Sequence, residues 1–306
     1  MHLSHATVTA ARQVRWICSS LRLFAWTGLL GATLGASAAE WTNLLDSELT
    51  RWDTYLSFRH KTDYAGAQPV GADGQKVEPI GYGKNTNNVF SVSEVDGRLV
   101  LHVSGEIYGC LFTKAEFQNY RLKLKMKWGQ KKWDPRQEKL KDSGILYHSI
   151  GPAGAEYWRS WMLSQEFQIM EGHTGDFWSQ ANSAIDIRAF IPEGAMNSVA
   201  SERQPFRAFG AKPSVAGFCL RSADYESKDG DWTELELVCF EGKSLHIVNG
   251  HVVMVLANSR YVTDGQAQPL IKGRIQLQSE AAEVMFTDIR LLEIDSLPAE
   301  FTHLFD

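Results

Sequence analysis

The segment Y-R-L-K-L-K-M-K-W, residues 120–128, alternates apolar and basic side chains without a break. Leu122, Leu124 and Met126 fall on one side, and Arg121, Lys123, Lys125 and Lys127 on the other. A helix would scatter the basic residues around its surface, whereas a strand places all of them on one face. The same period of two recurs in short runs along the chain. It is seen at 89–92 and 98–103 around the turn E-V-D-G, and at 143–148, 166–170, 183–189, 233–240, 244–248, 252–256, 273–278 and 283–294. Asn249-Gly250, between two of these runs, is the strongest two-residue hairpin signal present, because its turn needs positive φ at both positions. No segment sustains a 3.6-residue apolar period over three turns, although a short helix is expected at 155–162. Many short strands with no βαβ alternation predict an all-β fold, an antiparallel β-sandwich or jelly roll.

The first 39 residues read differently. Arg12, Arg15 and Arg22 give a basic start, an apolar run covers 23–34, and Ala36-Ser37-Ala38-Ala39 supplies small residues. This is the pattern of a secretory signal cut before Ala39 or Glu40, with the rest, 40–306, as a single domain. The apolar run is short for the roughly 20 residues of a membrane span. Export to the periplasm or the medium is therefore expected, with no membrane association after cleavage. That segment holds three of the 31 basic residues and no acidic one, leaving 28 against 36 and a net charge of −8. Such a balance argues against nucleic acid or an anionic membrane as a partner. Cys110, Cys219 and Cys239 remain. An exported domain permits one disulfide among them, but each lies in an apolar strand-like run, which favours buried free thiols.

Two segments lack strand character. Residues 59–88 are rich in Gly, Pro, Asn and Asp and read as a long surface loop. Residues 129–141, G-Q-K-K-W-D-P-R-Q-E-K-L-K, read as a cationic loop with one Trp. Loops of this length are uncommon and often functional.

The stretch S-Q-E-F-Q-I-M-E-G-H-T-G-D-F-W, residues 164–178, concentrates polar chemistry on a strand. Glu166 and Gln168 share a face by period alone, opposite Phe167 and Ile169. Glu171 is five residues from Glu166 and joins that face only if a β-bulge lies between Ile169 and Gly172; bulges recur beside active sites. The alternatives are a solvated edge-strand face and a cleft floor carrying two carboxylates. His148 shares its predicted face with Asp142, Gly144 and Leu146, and reads as a base, a metal ligand or a structural histidine. Lys131, Lys132 and Arg136 bring positive charge from the cationic loop. Trp133 and Trp178 suit stacking on a sugar or packing beneath a loop. Asp176 follows Gly175 and serves either a site or its own turn. His148, His173, Asp176 and the two glutamates share no diagnostic metal-ligand spacing. A divalent ion such as calcium stays an open alternative, and no dinucleotide-binding glycine motif is present.

Three pieces in order, K-W-G-Q-K-K-W-D-P-R, K-D-S-G-I-L-Y-H and E-F-Q-I-M-E-G-H-T-G-D-F-W, resemble the 3-keto-disaccharide hydrolase domain family. W-T-N-L-L-D-S-E-L, N-V-F-S-V-S-E-V-D-G-R-L, G-R-I-Q-L-Q-S-E and V-M-F-T-D-I-R extend the resemblance over 40–294, with Ala281 and Thr287 where Gly and Arg are usual. It implies a concanavalin-like jelly roll and cleavage of glycosides already oxidised to a ketone at C3, so that a sugar 3-dehydrogenase acts upstream. A C3 ketone acidifies the hydrogen on C2. A base removes it, the C1 substituent leaves by β-elimination, and water adds to the resulting glycal. Glu166, Glu171 and His148 are the expected catalytic residues; Gln168, Lys132, Arg136, Trp133, Asp176 and Trp178 are expected to bind substrate. E-x-Q-x-x-E is also similar to the E-x-D-x-x-E strand of laminarinase-like glycosidases, with Gln replacing the middle acid that tunes its neighbours there. An ordinary glycoside hydrolase with paired glutamates and a non-catalytic carbohydrate-binding jelly roll are the competing readings. The second predicts aromatics and amides in the cleft without a perturbed acid.

Overall fold

The computed structural model describes residues 40–61, 67–155, 160–211, 216–228 and 230–306. The expected signal segment therefore lies outside the described residues. Within them the chain forms two antiparallel sheets, of twelve and eight strands. The main path of the larger sheet runs, in spatial order, through Val199–Ala200, Ser183–Phe190, His251–Thr263, Lys243–Val248, Thr233–Phe240, Tyr120–Lys132, Ala282–Glu293, Arg98–Val103 and Phe90–Val95. The smaller runs through Phe218–Cys219, Phe177–Gln180, Leu163–Met170, Asp142–Ile150, Arg274–Ser279, Gly109–Thr113, Trp52–Leu56 and Gly81–Tyr82.

Alternation explains how the sheets pack. Leu122, Leu124 and Met126 from the large sheet meet Phe167, Ile169, Ile145, Tyr147, Leu277 and Leu111 from the small one in a single core. Each such side chain contributes roughly 1.5–3 kcal/mol on burial. The basic residues of the same long strand face outward: Arg121 and Lys123 bind Glu236 at 2.6 and 3.1 Å, and Lys125 binds Asp288 at 3.3 Å. The hairpin at Asn249-Gly250 has φ of 47° and 79°, as its sequence requires. Cys110, Cys219 and Cys239 are all buried and free.

Three local expectations are corrected. Within 155–162, residues 160–162 are not helical, and 156–159 lie outside the described residues. The strand expected to end at 128 continues to Lys132, because its backbone goes on pairing with the neighbouring strand, Trp128 opposite Val284 and Lys132 opposite Ala282, while Gln130 and Lys131 donate their N–H groups to the Glu283 carboxylate at 2.8 and 3.2 Å. The loop at 59–88 contains Gly81–Tyr82, which pairs with Tyr55 and Leu56.

Candidate active site

One face of the small sheet packs on the core, and the other forms the floor of a pocket of about 320 Å³. Period two decides which residues reach it. On Leu163–Met170 they are Glu166 and Gln168, on Phe177–Gln180 they are Trp178 and Gln180, and Asp142 and Gln278 come from the strands on the other side. Cross-strand register sets Trp178 beside Glu166, Glu166 beside Leu146, and Gln168 beside Gly144. Tyr108, Trp161 and Glu280 close one end. The loop after Lys132 brings Pro135, Arg136 and Lys139 to the rim.

Asp142 and Arg136 dominate the electrostatics. The Arg136 guanidinium contacts Asp142 Oδ2 and lies 2.7 Å from Glu280 Oε1. Gln168 Nε2 donates to Asp142 Oδ1 at 3.0 Å, and Gln180 Nε2 donates to Glu166 Oε2. Asp142 and Glu280 thus share one guanidinium, with Glu166 as a third carboxyl in the same pocket. Burial raises the Asp142 carboxyl well above the usual range, and the nearby Glu280 and Glu166 raise it further while Arg136 opposes them. When like charges share a buried site, one group keeps its proton. Burial likewise raises the Tyr108 phenol, with Glu280 adding to the effect.

Some polar atoms of the pocket-lining side chains are buried without a hydrogen-bond partner. Gln168 and Gln180 point their nitrogens at carboxylates, which leaves Gln168 Oε1 and Gln180 Oε1 buried without donors; Gln278 Oε1 also has no donor, and Arg136 Nε has no acceptor. Buried polar atoms normally find partners. The amide and charged side chains that line the pocket suit a ligand rich in hydroxyls.

The structure separates the expected site residues. It brings Glu166, Gln168, Arg136 and Trp178 into this pocket and leaves the others out. Glu171 sits past the strand end at Met170, where its backbone N–H donates to Lys141 O at 3.0 Å and its carboxylate lies 3.5 Å from Lys141 Nζ. It lines a separate recess with Trp128 and Glu226. No bulge follows Ile169; residues 171–175 form a turn instead. The irregularity is on the neighbouring strand, between Tyr147 and Ile150, where His148 has φ 51°. That conformation takes His148 out of the alternation shared by Asp142 and Gly144. Its ring nitrogens lie 3.1 and 3.2 Å from the Leu270 and Gln118 carbonyl oxygens, and burial pulls its pKa down to about 4.

Lys132 holds the loop, donating through Nζ to Lys139 O at 2.8 Å. Trp133 packs behind the pocket against Tyr108, Leu146 and Trp161, and its Nε1 donates to Ser104 O at 2.9 Å. Asp176 secures its turn: Oδ1 accepts from Arg221 N at 2.8 Å and Nη1 at 3.1 Å, and Oδ2 faces His173 Nδ1 at 3.1 Å. Sequence reasoning missed Tyr108, Lys139, Asp142, Trp161, Gln180, Gln278 and Glu280 as site residues. For Gln278 and Glu280 a signal existed, since Q-L-Q-S-E alternates amide and acid on one strand face. Among the described residues, no three His, Cys, Asp or Glu side chains are grouped to hold a metal ion.

Residues 40–292 match the sequence profile of the 3-keto-alpha-glucoside-1,2-lyase-like domain. The chain belongs to this family. As a 3-keto-alpha-glucoside-1,2-lyase-like domain it is carbohydrate-active and glycoside-hydrolase-like, with a carbohydrate substrate. No curated protein matches it in sequence. Among solved structures, a candidate glycosyl hydrolase from Parabacteroides distasonis is 16% identical, with 83% of this chain and 100% of that chain covered and a TM-score of 0.44. LamAcat from Zobellia galactanivorans is 12% identical, with 83% and 96% covered and a TM-score of 0.41. No described helix is long and apolar enough to cross a membrane.

Proposed function

We propose that this domain cleaves 3-keto-glycosides by β-elimination across C1 and C2, with Glu166 as the base and Arg136 as the group that holds the C3 oxygen. The observation that carries this reading is the presence, in one pocket, of a floor carboxylate, Glu166, and a guanidinium, Arg136, that two further carboxyls hold in place. An enolising sugar needs a base and a fixed positive charge for the developing enolate, and such donors are worth on the order of 3 kcal/mol.

The proton balance closes within the site. Glu166 takes the proton from C2, electrons move toward the C3 oxygen at Arg136, and the C1–O bond breaks. Glu166, which faces the C1 side as well as C2, then passes that proton to the departing oxygen. The proton taken from C2 is the one given to the departing oxygen, so Glu166 ends as the carboxylate it began as. Products are the alcohol and a 2-hydroxy-3-keto-glycal, and addition of water to the glycal completes net hydrolysis. Gln168, Gln180 and Gln278 line the pocket beside the sugar. Substrate requires an upstream dehydrogenase that oxidises a glycoside at C3.

The same proposal includes export, supported by the basic start, apolar run and small-residue exit before Glu40. N-terminal sequencing of the protein from an exporting host should find Ala39 or Glu40 first; an intact Met1 in the membrane fraction opposes it. For the chemistry, the protein is incubated with a glucoside and with its 3-keto form. Release of the C1 substituent should be confined to the 3-keto form. Equal release from both would show ordinary glycoside hydrolysis instead.

A further inference from the structure

Trp178 and Tyr108 mark opposite ends of the pocket floor. The strand carrying Trp178 is separated from the one that follows Tyr108 by Leu163–Met170, Asp142–Ile150 and Arg274–Ser279. Four strand spacings of about 4.8 Å place these ends about 19 Å apart. The two ends differ in kind. At one, Tyr108 and Trp161 stack at 6.2 Å and 29°, both buried, with Arg136 and Glu280 against them. At the other, Trp178 stacks on Phe218 at 4.8 Å and 19° while remaining 38% exposed. Phe218 is Trp178's direct cross-strand partner on the side away from Glu166, so it braces the indole from behind.

We infer that the Trp178–Phe218 pair is the leaving-group subsite, and that it selects glycosides whose C1 substituent presents a flat aromatic face. This rests on the reaction proposed above and adds its leaving-group class. With C2 of the sugar at Glu166 and its ketone toward Arg136, the closed aromatic end takes the sugar. The C1 substituent must leave toward the open end. Trp178 lies one strand from Glu166 in direct register, about 4.8 Å away across the sheet. Charged pocket residues Arg136, Asp142 and Glu280 belong to the loop and strands on the other side of Glu166, so recognition at the open end is by stacking. Bracing by Phe218 fixes the indole before the ligand arrives, which spares the ordering cost of a mobile side chain.

The test compares phenyl and methyl 3-keto-glucosides of the same anomer with wild type, Trp178→Ala, Trp178→Phe and Phe218→Ala. Aromatic pairs contribute enough for a change of roughly two- to tenfold. Trp178→Ala should lower kcat/KM by about that factor for the phenyl substrate, mainly through KM, and by less than twofold for the methyl one. Trp178→Phe should restore most of the difference, and Phe218→Ala should show a smaller effect of the same sign. Equal losses on both substrates would make Trp178 a packing residue beside Glu166, and no loss on either would place the leaving group elsewhere; both overturn the inference. Saturation-transfer NMR with the unoxidised phenyl and methyl glucosides reads the same contrast without turnover. A protein that turns over neither keto substrate yet loses phenyl contacts in Trp178→Ala would refute the reaction and keep the subsite. Unchanged phenyl contacts in that variant would refute the subsite.

Discussion

Glu166 and Gln278, from strands on either side of Gly144, reach over it to the same point. A Cβ at residue 144 would come within 3.0 Å of both the Glu166 carboxylate and the Gln278 amide oxygen. The glycine gives two polar side chains the room to converge on the pocket floor, so its role lies in the space above Cα. Gly144→Ala must displace the far ends of those two side chains, while the backbone keeps its strand pairing. The expected result is a folded protein with thermal stability near wild type and a loss of at least about tenfold in kcat, the low end of what a general base contributes. Full turnover in that variant would remove Glu166 and Gln278 from the reaction.

Glu166→Gln and Glu171→Gln should behave differently although both sit in E-F-Q-I-M-E. Glu166 lines the pocket, held by Gln180, whereas Glu171 is on a surface turn beside Lys141. The first variant should lose about 10²–10⁴-fold in kcat on a 3-keto-glycoside and stop exchanging the C2 hydrogen with deuterated solvent. The second should stay within about twofold. Matching losses in the two variants would contradict the site described here.

Arg136 has a structural task as well as a proposed catalytic one. Removing its guanidinium leaves Asp142 and Glu280 close together with no counter-charge, and breaking a buried ion pair typically costs 3–5 kcal/mol. Arg136→Ala should therefore unfold at clearly lower urea than wild type at pH 8. The gap should narrow toward pH 5, because a protonated carboxyl no longer repels its neighbour. A constant gap across that range would mean that lost packing, rather than charge, accounts for the effect.

Buried histidines predict the acid limb of stability. Burial lowers His148 to about 4 and His246 to about 3, from an ordinary value of 6.5. The native state therefore binds fewer protons than the unfolded chain between those values. Their contribution is complete above pH 6.5 and is lost as pH falls toward 4 and then 3, at roughly 3 kcal/mol for His148. Asp142 acts with the opposite sign, since its raised pKa favours the native state at low pH and that contribution fades as pH rises. Urea unfolding at pH 7, 6, 5 and 4 should show falling stability, and His148→Gln should give a shallower curve while keeping turnover. A wild-type curve flat from pH 7 to 4 would count against the neutral buried imidazoles.

The sequence by itself determined the class of fold and a minority of the pocket's residues. Period-two alternation chose strands, Asn249-Gly250 chose a hairpin, and the alternation of 166–170 put Glu166 and Gln168 on one face, because strand geometry is local and repeats every two residues. Arg136 and Trp178 were also legible as candidates, through their segments' resemblance to the family. The tertiary structure decided which local departures occurred and which strands became neighbours. His148 left its face because one residue adopted positive φ at a bulge, and Glu171 stayed outside because the strand simply ended. Asp142, Gln278, Glu280 and Tyr108 joined the pocket through pairing between strands more than a hundred residues apart in part of the sheet. Register of that kind is set by how the whole apolar face fits the opposite sheet, and no short stretch of sequence contains it.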